Sequence, residues 1–257
     1  MRRGLAPSRQ QAQADIAAGR VTVGGAPAAK AARLVDPGEP IRVLGPPPRF
    51  VGRGGEKLDA ALTRFPIEVE GRRAFDIGAS TGGFTDCLLQ RGAASVVAVD
   101  VGYGQLHERL RTDVRVEVHE RTNVRDVGPD ELGAPAEVLV ADLSFISLRT
   151  VLAGIVALAV PGADLVLLVK PQFEAGREEA SRGKGVITDP AIWRRVLDDV
   201  AGTLEGLGAA IMGAMPSPLT GADGNVEFLV HARTAPARPA QPARSLVDGA
   251  LAEIGAG

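Results

Sequence analysis

Cysteine occurs once among the 257 residues, as Cys87. A single thiol allows no intrachain disulfide and no thiolate cluster around a metal. Aromatic residues make up 4% of the chain, with one Trp and one Tyr, so a core must rest on Ala, Val, Leu and Ile. No apolar run approaches the roughly eighteen residues of a membrane-spanning helix. The opening MRRGLAPSRQQAQADIAAG is basic and lacks the apolar stretch of a signal peptide. The cytoplasm is therefore the expected compartment. His107, His119 and His231 share no ligand spacing; they are read as structural, and no metal is expected.

Hydrophobic residues, by contrast, supply 45% of the chain, which suits a packed globular core. The length allows one full α/β domain and a small appendage. The net charge of −2 is unevenly spread. Residues 1–57 hold ten basic and four acidic residues, a net of +6, and the remainder holds nineteen basic and twenty-seven acidic, a net of −8. A basic module joined to an acidic one points to a polyanion as partner, against the plainer reading of a solvated basic tail.

The chain divides into a short module (1–45), a proline-rich linker (46–55), a large domain (56–233), and a Pro/Ala linker leading into a C-terminal helix (234–257). In the short module Ser8 is placed to cap a helix through QQAQADIAA. VTVGG (21–25) and EPIRVLG (39–45) read as strands. With Arg2, Arg3, Arg9 and Arg20 interspersed, and Arg53 in the linker that follows, this α+β module is expected to make an RNA-docking surface. In the large domain strands are expected at 74–78, 95–100, 114–118, 137–143, 164–170, 209–215 and 226–232. Helices are expected at 56–65, 83–92, 104–112, 148–159 and 190–208, and a last short helix at 244–255. Several strands are almost wholly apolar, as when helices cover both faces of a parallel sheet. The fold class is α/β, with a mostly parallel seven-stranded Rossmann-like sheet. Only a loop separates the last two strands, so they should form an antiparallel pair at the end of the sheet.

The first strand ends in DIGASTGGFT (76–85). Glycines at a strand-to-helix turn let a ligand approach the backbone, and the helix beyond offers free N–H groups. The spacing G-x-x-x-G-G is neither the dinucleotide G-x-G-x-x-G nor a P-loop. Asp76, Gly78, Ser80, Thr81, Gly82, Gly83 and Phe84 are the candidate contacts there. An acid at Asp76 suits a sulfonium amino acid better than a pyrophosphate, which it would repel. Asp100 ends the second strand, where a carboxylate can take both hydroxyls of a ribose. Asn123, after the third strand, faces either an adenine edge or a loop-capping role. Asp142 and Lys170 end the fourth and fifth strands, and Glu227 begins the seventh. Strand ends of an open α/β sheet border its ligand crevice, and a lysine after LVLLV needs partners if buried. The plainer readings are an ion pair for Asp142 and Lys170 and a solvated edge for Glu227. Cys87 and Trp193 are read as core, Tyr103, just after Asp100, either contacts the nucleoside or has no part in the site, and the loop RGKGVITD (182–189) either contacts phosphate or is plainly mobile.

GGEKL (54–58), DIGASTGGFTD (76–86), VDVGYGQL (99–106), ERTNVRD (120–126), ADLSFIS (141–147), LVKPQFE (168–174) and GNVEF (224–228) together resemble the TlyA proteins. These are bacterial rRNA 2'-O-methyltransferases with a class I catalytic domain of the FtsJ/RrmJ type, and they also carry a haemolysin label. The resemblance implies S-adenosylmethionine as donor, ribosomal RNA or a ribosomal subunit as partner, and cytidine ribose as target. It implies no obligate membrane. It also implies a catalytic Lys-Asp-Lys-Glu tetrad, matched here by Lys57, Asp142, Lys170 and Glu227, with Asp142 bordering the donor as well. The small module resembles the S-four-like RNA-binding fold. That fold opens with a further helix ahead of RRGLAPSRQQA, so here the first helix is expected to be shortened or absent.

A ribose hydroxyl is a weak acid, and a base or cation must assist it. Lys170 is the residue read in that role, with Lys57 nearby and the two carboxylates orienting both lysines. The rest of the acceleration comes from holding hydroxyl and methyl at attack distance. The rival readings are a non-catalytic RNA-binding or ribosome-assembly factor, a membrane-active haemolysin, and a nicotinamide enzyme. The complete tetrad, the missing apolar span and the glycine spacing speak against them in turn.

Overall fold

A computed structural model describes the chain except for residues 1, 2, 7, 8, 47, 184, 236, 238, 240, 256 and 257, and except for the side chains of 9, 10, 11, 14, 177, 182 and 222. Ser8 and Arg2, and the side chain of Arg9, therefore lie outside the described residues. The chain forms two compact units, Met1–Gly52 and Arg53–Gly257.

The N-terminal unit has α1 (Arg9–Ala17), β1 (Val21–Val23), β2 (Ala26–Pro27) and β3 (Ile41–Val43). Its antiparallel sheet runs β2-β1-β3. The short β2 is an addition to the sequence reading: Gly24 and Gly25, both at positive φ, turn the chain back so that Val23 pairs with Ala26. Val21, Val23 and Ala28 form its small core. Arg3 and Arg20 hold this unit together. The Arg3 guanidinium donates to the carbonyls of Asp36, Pro37 and Glu39, and Arg20 pairs with the buried Asp15.

The large unit begins with α2 (Gly54–Arg64), followed by β4 (Arg73–Ile77), α3 (Gly83–Gln90), β5 (Ser95–Asp100), α4 (Glu108–Arg111) and β6 (Val116–Glu120). Then come β7 (Ala136–Ala141), α5 (Leu152–Ala157), β8 (Ala159–Val169), α6 (Pro171–Glu174), α7 (Arg177–Arg182) and α8 (Pro190–Gly206). The unit closes with β9 (Ala209–Pro216), β10 (Phe228–Thr234) and α9 (Ala243–Gly255). The sheet order is β6-β5-β4-β7-β8-β10-β9. The first five strands are parallel. β10 runs antiparallel between β8 and β9, as the short β9–β10 connection requires.

Both faces of the sheet are covered, which explains the unbroken apolar strands. Phe75, Ile77, Leu139, Leu165, Phe228 and Val230 pack with α5, α8 and α9 in one cluster. On the other face α2 packs against α3, and Phe65 at the end of α2 stacks on His231 of β10 with ring centroids 5.6 Å apart. Trp193 is buried against Phe228 and Cys87 is fully buried, so both are core. No described helix is long and apolar enough to cross a membrane.

Several element limits differ from the sequence reading, each for a local reason. α2 starts at Gly54, so the expected linker ends earlier. The helix expected over 104–112 is confined to Glu108–Arg111. Gly104 N donates instead to Glu120 Oε1 at 2.8 Å, and His107 caps the helix by accepting from Arg109 N at 3.1 Å. The strand expected from 114 starts at Val116, because Asp113 Oδ1 takes Arg115 N at 3.0 Å and holds a turn. The helix expected to 159 ends at Ala157, and β8 starts at Ala159 with a register shift opposite Ala136. α6 and α7 were not anticipated.

Candidate active site

The strand ends converge as an open α/β sheet dictates. Gly78 follows β4 at φ 85°, and a Cβ there would lie 2.7 Å from the Asp142 carbonyl oxygen. Any side chain would push the glycine turn away from the end of β7. Gly82 takes φ 95° at the N-cap of α3, a left-handed conformation that glycine adopts at little cost. Between the ends of β4, β5 and β7 lies a cavity of about 340 Å³, lined among others by Gly78, Asp100, Asn123, Asp142, Leu143 and Ile146. A smaller cavity of about 90 Å³ adjoins it, lined by Gly54, Thr81, Gly83, Phe84 and Asp142 among others. Gly78, Ser80 and Asp142 line both.

Asp100 is fixed by backbone donors. Its Oδ2 accepts from Ser80 N at 2.7 Å and its Oδ1 from Gly102 N at 2.6 Å. An ionised carboxylate has about four acceptor positions, so two remain open. Asn123 caps its own loop, its Oδ1 accepting from Arg125 N at 3.1 Å, and it also lines the larger cavity.

Asp76 is corrected. It is fully buried and lines neither cavity. Its Oδ2 accepts from Thr85 N and Thr85 Oγ1 at 2.8 and 2.6 Å, which ties β4 to the first turn of α3. Burial raises its pKa from 3.8 to about 7; the Thr85 hydroxyl opposes this, and the Asp142 and Asp100 charges add to it. Gly82 likewise lines neither cavity and serves the turn.

Beside the cavity stand two ion pairs. Lys57, from the first turn of α2, pairs with Glu227, and both are buried. Lys170 Nζ lies 2.6 Å from Asp142 Oδ1, a close ion pair rather than an aligned hydrogen bond, and donates to Ser144 Oγ at 2.9 Å. The sheet brings the pairs together. Phe228 stands opposite Val169 as the last pair between β10 and β8, and Glu227 and Lys170 each lie one residue further on. A buried ion left alone would cost several kcal/mol, so each lysine is paired with one carboxylate, Lys57 with Glu227 and Lys170 with Asp142, and the four charges sum to zero. Arg53 donates to the Thr220 carbonyl at 3.0 Å and so braces the loop leading to Glu227.

Two features were missed from the sequence. Glu174 is buried and accepts from Ser147 Oγ and Leu148 N, both at 2.5 Å. It clamps the segment after Asp142 to the segment after Lys170. Asn225 accepts from Ile187 N at 3.0 Å and donates to the Gly185 carbonyl at 2.9 Å. The described part of the 182–189 loop is thereby joined to the loop before β10.

An FtsJ-like methyltransferase model matches residues 50–234, and an S4 domain model matches residues 2–41. The 16S/23S rRNA (cytidine-2'-O)-methyltransferase TlyA of Mycobacterium tuberculosis is 49% identical over 100% of this chain and 96% of its own length. The chain belongs to the TlyA family of FtsJ-like methyltransferases. Hemolysin A of Brachyspira hyodysenteriae is 40% identical over 89% of this chain and 95% of its own length. A solved chain from Streptococcus thermophilus that carries a hemolysin name is 38% identical, with a TM-score of 0.80 over 99% of this chain and 94% of that one.

As a TlyA-family methyltransferase the chain is an enzyme, and its fold and family imply S-adenosylmethionine as donor. The residues fit such a group. The cavity lies in the range of small-molecule sites, Asp100 keeps acceptor positions open, and apolar Leu143 and Ile146 line the same space as the polar Asn123. Among the described residues no group of His, Cys, Asp and Glu is placed to hold a metal.

Proposed function

We propose that this TlyA-family methyltransferase methylates the 2'-hydroxyl of cytidine in ribosomal RNA. The observation that carries this reading is the pair of adjoining ion pairs, Lys57–Glu227 and Asp142–Lys170, beside a nucleoside-sized cavity. When bound, the sulfonium donor supplies an electrophilic methyl group. Asp100 holds the donor's ribose, and Gly78, Ser80, Thr81, Gly83 and Phe84 border it. Asp142 stands at both cavities and so touches the donor side and Lys170 together. Lys170 assists the attacking hydroxyl, either taking its proton at Nζ as a neutral amine or, as an ammonium, stabilising the negative charge that develops on the oxygen as the proton passes to water. Lys57 and Glu227 form the neighbouring half of the tetrad and fix the charge around it. Positioning of this kind supplies several kcal/mol of barrier reduction.

In the same reading residues 1–45 carry the RNA contacts of the enzyme, and residues 56–233 carry the chemistry. Of the arginines expected to meet RNA, Arg3, Arg20 and Arg53 have intramolecular partners, so the exposed Lys30 and Arg42 join them as candidates.

The test is methyl transfer to unmodified ribosomal subunits, with the product nucleoside mapped. Lys170→Ala should abolish transfer and keep cofactor affinity. Turnover near wild type in that variant, or a methyl group found anywhere but on a cytidine 2'-oxygen, would overturn the reading.

A further inference from the structure

Lys170 has three N–H donors on a flexible stem, so its charge alone does not define a direction. The structure gives that ammonium two fixed partners, Asp142 Oδ1 at 2.6 Å and Ser144 Oγ at 2.9 Å. We propose that Ser144 is a positioning residue for methyl transfer: its hydroxyl fixes the rotation of the Lys170 amine, so that the side of Nζ not engaged by Asp142 and Ser144 faces the attacking hydroxyl. This rests on the reading of Lys170 as the group that assists the attacking hydroxyl.

Ser144 is exposed, and a serine on a free surface loop would hold nothing. Here the loop is anchored. Three residues on, Ser147 Oγ and Leu148 N donate to the Glu174 carboxylate, both at 2.5 Å, and Arg149 Nε lies 3.4 Å from it. Glu174 is buried, in the short helix α6 that begins directly after Lys170. One end of the clamp therefore fixes the serine's loop and the other fixes the lysine's strand end. Phe173, between them in sequence, adds a ring whose centroid is 5.9 Å from Lys170 Nζ. The Ser144–Lys170 bond is thus held by backbone on both sides, the arrangement expected of a group whose orientation matters.

Ser144 also lines the larger cavity, so a direct contact with the donor is the competing role, and the experiment separates the two. Methyl transfer to unmodified ribosomal subunits is measured at saturating and limiting RNA for wild type, Ser144→Ala, Ser144→Thr and Lys170→Ala. S-adenosylhomocysteine affinity is measured for each by calorimetry. Loss of one hydrogen bond to a charged group should lower kcat about ten- to a hundred-fold in Ser144→Ala, with KM for RNA and cofactor affinity unchanged. Ser144→Thr, which keeps the hydroxyl, should recover most of that loss. An unchanged kcat in Ser144→Ala, a loss that Ser144→Thr does not recover, or a loss of cofactor affinity in place of kcat each overturns the proposal. Lys170→Ala reports separately: if it turns over like wild type, the reading of Lys170 fails, whereas an inactive Lys170→Ala beside a fully active Ser144→Ala sinks only the role of the serine.

Discussion

Replacing Asp76 by Asn should remove a loss of stability that the enzyme undergoes as pH rises from about 4 to about 7. Asp76 has no exposed surface, and among the described residues its Oδ1 has no hydrogen-bond partner. Burial, reinforced by Asp142 and Asp100 and opposed by Thr85, raises its pKa from 3.8 to about 7. The folded state therefore holds the proton more tightly than the unfolded chain does. The associated stability is complete below about pH 4 and is lost as pH rises through about 7. Each pH unit inside that window removes about 1.4 kcal/mol, or roughly 4 kcal/mol across it. Asp76→Asn copies the protonated acid, since its carbonyl oxygen can still accept from Thr85 N and Oγ1 and it carries no charge. Relative to wild type, the variant should gain about 2 kcal/mol between about pH 5 and pH 7. For a unit of this size that is roughly 4–8 °C in Tm, readable by thermal unfolding across the pH series. Asp76→Ala is the control: it leaves the Thr85 donors unpaired and should lose about 1–3 kcal/mol at every pH. Parallel Tm-against-pH curves for wild type and Asp76→Asn would refute the reasoning, because they would mean that Asp76 does not change its protonation over that range.

Asp100→Ala should weaken S-adenosylhomocysteine binding about ten- to a hundred-fold, the loss of a charge-assisted hydrogen bond, while RNA affinity stays as it was; calorimetry finding unchanged cofactor affinity would count against the ribose assignment. Asp164→Asn should cost about 3 kcal/mol at neutral pH, since the buried carboxylate is shared by Arg72, His231 and Arg233. Burial alone would raise the Asp164 pKa, but the bonds from His231, Arg72 and Arg233 outweigh it and hold the group below the usual carboxylate range. Its contribution is present above about pH 4 and lost as pH falls below that, so denaturant unfolding should show the gap between variant and wild type closing in acid; a gap equally wide in acid would contradict the assignment.

The sheet was readable because its strands are apolar on both faces. DLVLLVK matches the buried part of β8, and the order of strands and helices follows from their alternation. The same property hid the direction of Asp76. A strand with one wet face shows by alternation which residues look outward, but β4 is buried along nearly its whole length and offers no such contrast. An acid at its end reads equally well as facing a ligand or facing the core. Asp100, Asp142 and Lys170 escaped this ambiguity because each stands at or just beyond the end of its strand, where the crevice begins. Boundaries failed where one side chain redirected the backbone, as Glu120 does for Gly104 across sixteen residues. No periodicity records such a bond. The pairing of Lys57 with Glu227, 170 residues apart, is of the same kind: the family resemblance supplied the two names, but the register of β10 on β8 is what puts Glu227 beside Lys170.

Charge counting has a related limit in the N-terminal unit. A net of +6 over residues 1–57 treats every arginine as equally available to a polyanion. Arg3, however, gives its guanidinium to three backbone carbonyls of the 36–39 turn, and Arg20 serves Asp15, whose carboxylate is buried in the same small unit. An arginine bonded to carbonyls keeps its charge, so it still attracts phosphate at a distance, but three of the five N–H donors of Arg3 are already engaged. Its removal would therefore weaken the module's own fold before it weakened a specific contact. Lys30 and Arg42, exposed on the same unit, carry the same charge without that structural duty among their described contacts. The distinction between charge that holds a module together and charge that reads a partner is a matter of which donors are already engaged, and it becomes visible only once the carbonyls of the 36–39 turn have been placed.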